Sequence, residues 1–212
     1  MNSVTDWSKL LEAELPGRLA QRRWSPRLAY GRHFSRPRDP RTREAAVGML
    51  VYPWHDDWHL ALIRRPATMA HHAGQIALPG GMVEPGETSD EAMRREVYEE
   101  LGVETLAADC VGKLSPLYVF NSRFWVQPWL VVLPGRPHYT PAPGEVDTLI
   151  EYPLSELQRA LPSDCCRIDR WGTRWHAPCF RWHDHEIWGA TSLMLAELQA
   201  VVEHGLPTVP RA

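Results

Sequence analysis

The chain has 212 residues, 44% hydrophobic and 23% charged, the balance of a soluble globular protein with an ordinary core. Its formal charge of −3 supplies no global basic field for nucleic acid, and no apolar run approaches the ~20 residues that cross a bilayer. Residues 1–10 lack the apolar stretch of a signal peptide, so a cytoplasmic protein with neither a membrane nor a nucleic-acid partner is expected.

The length suits one domain with appended segments: an N-terminal helix and connector over 1–43, a main domain over 44–205 and a tail over 206–212. In residues 5–15, Trp7, Leu10, Leu11 and Leu15 fall in helical phase, and Pro16 with Gly17 should stop that helix. The Arg- and Pro-rich stretch 22–43 reads as irregular. Strands are expected over 45–52 and 58–64, joined by a turn holding Pro53, His55, Asp56 and Asp57. A connector over 66–74 leads to a short strand over 75–78, ended by the turn Pro79-Gly80-Gly81. Thr88, with Glu91 three residues on, makes a capping box for a helix over 89–101, and Gly102 is its natural stop. Strands follow over 110–119 and 124–133, then a Pro/Gly loop over 134–144, a strand over 146–152 and a short helix over 153–161. The Trp-, His- and Arg-rich stretch 167–188 suggests two short strands before a closing helix over 191–204. Cys110, Cys165, Cys166 and Cys179 form no C-x-x-C pair, so neither a zinc site nor a disulfide framework is read. Strands and helices mixed in this order argue an α/β sandwich.

The helix over 89–101 breaks a stability rule. At about 100° per residue, Met93, Val97 and Leu101 make one apolar stripe. Glu96, Glu99 and Glu100 project together along the edge of that stripe. Like charges four apart repel, and the last helical turn disfavours anions. Such local inconsistency is typical of functional sites. Clustered carboxylates with no nearby cysteine suit a hard cation, Mg²⁺ or Mn²⁺; a solvated acidic face is the alternative. The turn Pro79-Gly80-Gly81 allows backbone bends that aim carbonyls at the same cation. Glu87 and Arg95 are placed to pair and pin the loop to the helix.

From Gly81 to Val103 the chain fits G-x5-E-x7-R-E-U-x-E-E-x-G-U, with U aliphatic, without a mismatch. Gly81, Glu87, Arg95, Glu96, Val97, Glu99, Glu100, Gly102 and Val103 fill it. The stretch resembles a complete Nudix box. The resemblance implies a Nudix-type α/β/α sandwich with a mixed sheet over 44–205, and hydrolysis of a diphosphate linked to another moiety with Mg²⁺ or Mn²⁺. It implies metal ligation by Glu96, Glu99 and Glu100 with the carbonyl of Gly81 or Gly80. It makes Glu99, Glu100, Glu145 and Arg95 the catalytic set, and Gly80, Glu87 and Gly102 structural. Glu145 enters because many Nudix enzymes use a glutamate outside the box; a surface acid beside a strand is the alternative.

Upstream, residues 61–81 resemble the coenzyme A pyrophosphatase motif L-L-T-x-R-S/A-x3-R-x3-G-x3-F-P-G-G, with Leu62, Arg65, Gly74, Pro79, Gly80 and Gly81 matching. Ala61, Ile63, Pro66, Ala70 and Leu78 depart from it, and Ala70 replaces an arginine suited to phosphate. This second resemblance implies a CoA-like substrate cleaved to 3′,5′-ADP and 4′-phosphopantetheine or its acyl form. Arg64, Arg65, His72, Gly74 and Gln75 would be the substrate contacts, with Arg123 a further candidate for the 3′-phosphate. The alternatives are another nucleoside diphosphate derivative (ADP-ribose, NADH or an oxidised dNTP) and an inactive Nudix domain used as a ligand-binding module. The sequence leaves a homodimer and the number of metal ions open.

Overall fold

The structure is a computed structural model that describes residues 3–25, 39–69, 72–162, 165–170, 173–203 and 205–210. Two helices come first, α1 (Ser3–Glu12) and α2 (Gly17–Trp24). Strand β1 (Arg43–Trp54) is buried on both faces through most of its length, which explains its nearly unbroken apolar sequence. It turns at His55 and Asp56 into β2 (Asp57–Arg64). Short strands β3 (Ile76–Ala77) and β4 (Gly80–Met82) precede helix α3 (Ser89–Leu101). Then come β5 (Cys110–Lys113), β6 (Leu117–Val119), β7 (Phe124–Val132), β8 (Thr148–Pro153) and helix α4 (Leu154–Arg159). Two hairpins, β9 (Cys165–Arg170) with β10 (Thr173–Pro178) and β11 (Phe180–Trp182) with β12 (His185–Ile187), lead to helix α5 (Ala190–Val201).

Strands β1 to β8 form one mixed sheet with the path β3-β2-β1-β7-β5, to which β4, β6 and β8 add at β1, β7 and β2. β1 and β7 run parallel in register from Arg43↔Phe124 to Val51↔Val132. The period-2 alternation of β1 sends its side chains to two cores. Ala46, Leu50 and Tyr52 meet Met93, Val97 and Leu101 of α3. Met49 and Val51 belong with Trp7, Trp24 and the leucines of α5. Helices therefore cover both faces, and the expected α/β/α sandwich with a mixed sheet is present.

Several elements differ from expectation. Helix α1 stops at Glu12, short of Pro16 and Gly17, and those two instead open an unexpected helix, α2, whose last residues overlap the stretch read as irregular. Its sequence GRLAQRRW has almost no apolar stripe, and Leu19 is 79% exposed. Contacts from elsewhere hold it: the Trp24 ring stacks on Phe180 with centroids 3.6 Å apart, and Gln21 Nε2 donates to Glu197 Oε2 at 3.1 Å. The turn at Gly80-Gly81 is itself a strand, because β4 pairs with β1 through Ala46↔Gly81 and Val47↔Gly80. The expected strand over 110–119 is two, β5 and β6, both on β7. The stretch 167–188 carries two hairpins rather than two strands. Part of the stretch 22–43, Ala70 and His71 of the connector, and residue 204 at the end of the closing helix lie outside the described residues. Neither Cys110 nor Cys179 is in a disulfide. Among the described residues no helix is long and apolar enough to cross a membrane.

Helix α5 is buried nearly all round, and it carries a fully buried carboxylate, Glu197. Burying such a group is tolerated only when donors surround it. The backbone N–H of Gly17 donates to Oε1 at 3.2 Å, and that of Ser115 reaches Oε1 and Oε2 at 3.2 and 3.1 Å. Glu197 thus ties α2 and the β5–β6 turn to the central helix. Glu197→Ala should lower unfolding free energy by about 3 kcal/mol, because it leaves buried N–H groups without an acceptor. Chemical denaturation measures this, and an unchanged midpoint would show the tie to be dispensable.

Candidate active site

Helix α3 starts where Glu91 Oε2 accepts from the Thr88 N–H at 2.8 Å and the Thr88 hydroxyl at 2.7 Å. It ends at Gly102, whose φ of 67° is the left-handed conformation glycine adopts freely. Between these caps the helix lies against β4, and the approach is very close. A Cβ on Gly81 would collide with the Glu96 carboxylate, and one on Gly80, at φ 144°, would meet the Ala46 carbonyl. Only glycines let the strand backbone come this near the helix glutamates.

One guanidinium stitches the strand, the loop and the helix together. Arg95 Nε donates to Glu87 Oε1 at 2.7 Å, and Nη2 donates to Glu87 Oε2 at 3.2 Å and the Met82 carbonyl at 3.0 Å. Nη1 donates to Glu96 Oε1 and Glu99 Oε2, both at 3.0 Å. The fork's five N–H groups are matched by five acceptors. This proximity holds the Glu87 carboxyl below the usual carboxylate range.

Glu100 is the deepest of the acids, 2% exposed. Its Oε2 accepts the Gly80 N–H at 2.9 Å, and Oε1 lies 3.5 Å from Arg65 Nη1. Burial pushes its carboxyl up to about 7; the Gly80 N–H and Arg65 pull it down, while the charges of Glu96 and Glu145 push it further up. Burial raises Glu96 too, with Arg95 opposing and Glu99 and Glu145 adding repulsion.

Glu145 arrives from the β7–β8 loop. The last carbonyls of a helix lack internal partners. Here the Thr140 N–H donates to the Leu101 carbonyl at 2.8 Å and the Ala142 N–H to the Glu100 carbonyl at 2.9 Å. The loop caps α3 in this way and turns back through the Glu145 N–H, 3.2 Å from the Ala142 carbonyl.

The structure brings Glu87, Arg95, Glu96, Glu99, Glu100, Gly80, Gly81, Gly102, Glu145 and Arg65 into one neighbourhood. Glu99 is half-exposed and turned to Arg95. Among the described residues no three His, Cys, Asp or Glu groups are placed to hold a metal ion, and Arg95 and Arg65 contact the carboxylates. The donor set nonetheless fits a hard cation. It is all oxygen, and the mutual repulsion of Glu96, Glu100 and Glu145 leaves negative charge that a divalent ion relieves. The remaining candidates are local. Arg64 Nε pairs with Asp147 Oδ2 at 2.8 Å and its Nη2 donates to Thr148 Oγ1 at 2.7 Å. His72, at φ 57°, sets its Nδ1 2.8 Å from Gln75 Oε1. The Gly74 N–H donates to the Arg65 carbonyl at 3.1 Å, and the Arg65 N–H to the Gln75 carbonyl at 3.0 Å. The contact of Arg65 with Glu100 and the Gly80 amide bond are not written in either local motif, because both join residues of separate elements.

A profile of the NUDIX domain matches residues 42–171. The NudL protein of Photorhabdus laumondii, an uncharacterized Nudix hydrolase, is 34% identical over 146 residues, covering 68% of this chain and 77% of its own. The NudL protein of an Enterobacter species is 31% identical over 163 residues, covering 76% of this chain and 84% of its own. Among solved structures, a MutT/nudix family protein from Enterococcus faecalis superposes with a TM-score of 0.55 at 15% identity over 96% of this chain and 75% of that one. The RenU Nudix hydrolase of M. smegmatis gives 0.51 at 16% over 80% of this chain and 91% of that one. These two attest the fold alone. With a complete box folded around buried carboxylates and relatives this similar, the chain belongs to the Nudix hydrolases, pyrophosphatases that work with divalent metal ions.

Proposed function

We propose that this enzyme cleaves the diphosphate of coenzyme A or a CoA derivative, releasing 3′,5′-ADP and 4′-phosphopantetheine or its acyl form. The observation that carries this is Arg65. It matches the CoA-type motif upstream of the box, and its guanidinium stands at Glu100 with Nε buried and without a hydrogen-bond partner. A planar donor fork beside the catalytic carboxylates suits a diphosphate oxygen. The rest of that motif falls on β2, the 72–75 turn and β3, the strand that leads through Leu78 and Pro79 to Gly80. Arg64 has its own partners in Asp147 and Thr148, so Arg65 is the stronger of the two contacts. Ala70, in place of a motif arginine, favours the second reading, a different nucleoside diphosphate derivative such as ADP-ribose, NADH or an oxidised dNTP.

Glu96, Glu99 and Glu100 would hold Mg²⁺ or Mn²⁺, with the Gly81 carbonyl beside them. When bound, the ion neutralises charge on the diphosphate and makes water a better nucleophile. Arg95 keeps Glu96 and Glu99 aimed together, and Gly80 holds Glu100 in place. Glu145 has no arginine partner among the described residues and lies close enough for its charge to act on Glu96 and Glu100. It takes the proton from the attacking water.

Incubation with Mg²⁺ and a panel of CoA, acetyl-CoA, ADP-ribose, NADH and 8-oxo-dGTP, with products read by mass spectrometry, tests the substrate. Dominant 3′,5′-ADP and phosphopantetheine support CoA; survival of CoA while another diphosphate is cleaved replaces it with the second reading. Turnover should vanish in EDTA and return with Mg²⁺ or Mn²⁺, whereas turnover in a chelated sample would overturn the metal assignment. Glu100→Gln should lower kcat by several orders of magnitude, on the order of 10³-fold, because it removes a charged group where the cation is held. The same variant should stabilise the metal-free protein. The folded-state pKa is raised from 4.5 to about 7, so the native state binds a proton more tightly than the unfolded chain. Stability of the metal-free wild type therefore falls between pH 4.5 and about 7, by about 3 kcal/mol in all, and levels off above. Melting curves in EDTA from pH 5 to 8 should show that fall in the wild type and its loss in Glu100→Gln. Parallel pH profiles for the two proteins would contradict it.

A further inference from the structure

The loop over 133–147 joins β7 to β8, which have β1 and β2 between them in the sheet, and irregular loops of this length are usually functional. It contains Pro134, Pro137, Pro141 and Pro143, four positions with no backbone N–H to tether it. Two of the amides that remain, Thr140 and Ala142, are spent on the end of α3. Earlier in the loop the anchor is a side chain.

Arg136 donates from Nε to Glu151 Oε1 at 2.7 Å and from Nη2 to Glu151 Oε2 at 2.9 Å, a two-pronged fork. Its guanidinium lies over the Trp54 ring, 4.8 Å from the centroid, and 5.8 Å from that of Tyr139 in its own loop. The acceptor is fixed from the sheet side, since the Tyr52 hydroxyl donates to Glu151 Oε1 at 2.7 Å. Tyr52 and Tyr139 meet edge to face, with centroids 6.1 Å apart. Glu151 is a strand acid 15% exposed at its side chain, beside the apolar surface under α3. Burial favours its neutral form, but Arg136 and Tyr52 outweigh this and keep the carboxyl below its ordinary range. The Arg136 side chain is 42% exposed, so the pair contributes little to global stability. What a fork and two stacked rings contribute is direction.

We infer that Arg136 is a positioning residue: its fork on Glu151 seats the 133–147 loop on the end of α3 and thereby holds Glu145 over the helix carboxylates. The inference rests on the proposed role of Glu145. The chain of contacts is continuous. Glu151 and Trp54 fix Arg136, and Tyr139 stacks beneath it. The next residue, Thr140, bonds Leu101, Ala142 bonds Glu100, and the Ala142 carbonyl takes the Glu145 N–H. Loosening the first link lets the last one drift.

The test compares wild type, Arg136→Ala, Arg136→Lys, Glu145→Gln and the Arg136→Ala/Glu145→Gln double variant. Hydrogen exchange needs no substrate. Arg136→Ala should speed exchange at the Thr140 and Ala142 amides at least tenfold while core amides of β1 and α5 stay protected. Unchanged exchange at those two amides overturns the inference. For turnover, Mg²⁺ is used with CoA or ADP-ribose, whichever the wild type cleaves faster. Arg136→Ala should lower kcat about tenfold with KM little changed, the size expected when a reacting group is misplaced. Arg136→Lys, which keeps charge but not the fork, should fall between. In the Glu145→Gln background, Arg136→Ala should cause no further loss. An equal loss in both backgrounds overturns the positioning inference and leaves Glu145 its role. Full activity in Glu145→Gln alone removes the role of Glu145, and the inference with it.

Discussion

Negative charge crowded on the end of one helix governs this molecule. Glu100 is buried, Glu96 half-buried, Glu99 sits beside them, and Glu145 is brought in from a loop. Left alone, such a group would drive the elements apart. It is held by donors that each belong to a different part of the chain: Arg95 across the helix and loop, Arg65 from the end of β2, and the Gly80 N–H from β4. The sheet order makes sense in this light. β4 pairs with β1 so that Gly80 and Gly81 touch the helix, and β2 ends where its next residue can reach Glu100. Burial raises the proton affinity of Glu100, so its ionised form is held at a local loss of stability.

The parts legible in the sequence were those whose signals are local. The capping box at Thr88 and Glu91, the stripe of Met93, Val97 and Leu101, and the stop at Gly102 all lie within one helix and its flanks. The spacing of the glutamates carried the site and, through its resemblance to a known box, the fold. Helix α2 was not legible, since its stabilising partners Glu197 and Phe180 are far away in sequence and its own pattern carries no stripe. The same holds for Arg136 and Glu151, an arginine in a proline-rich loop and an acid in a strand, each unremarked until the fold sets them 2.7 Å apart. The hairpins of 165–187 were undercounted because aromatic, histidine and arginine residues obscure the alternation that marks a strand.

The two sides of the sheet divide the work. Under α3 an apolar core is edged by the helix carboxylates and their donors, so directional bonds fix much of the geometry along that edge. Under α1, α2 and α5 the core is dominated by Trp7, Trp24, Trp58 and the leucines of α5, and packing does most of the holding.

The bonds of Glu197 join residues 180 positions apart to one another and to a turn midway between them. The contacts of the box span at most a few tens of residues, as the 20-residue separation of Gly80 and Glu100 shows. Contacts that distant close slowly, since the intervening chain must first give up its freedom. During synthesis the glutamate cluster can assemble before α5 exists, but the apolar side of the sheet lacks much of its cover until α5 has been made. A nascent chain at that stage would already hold its helix glutamates together while Trp7, Trp24 and Trp58 still lacked the cover of α5.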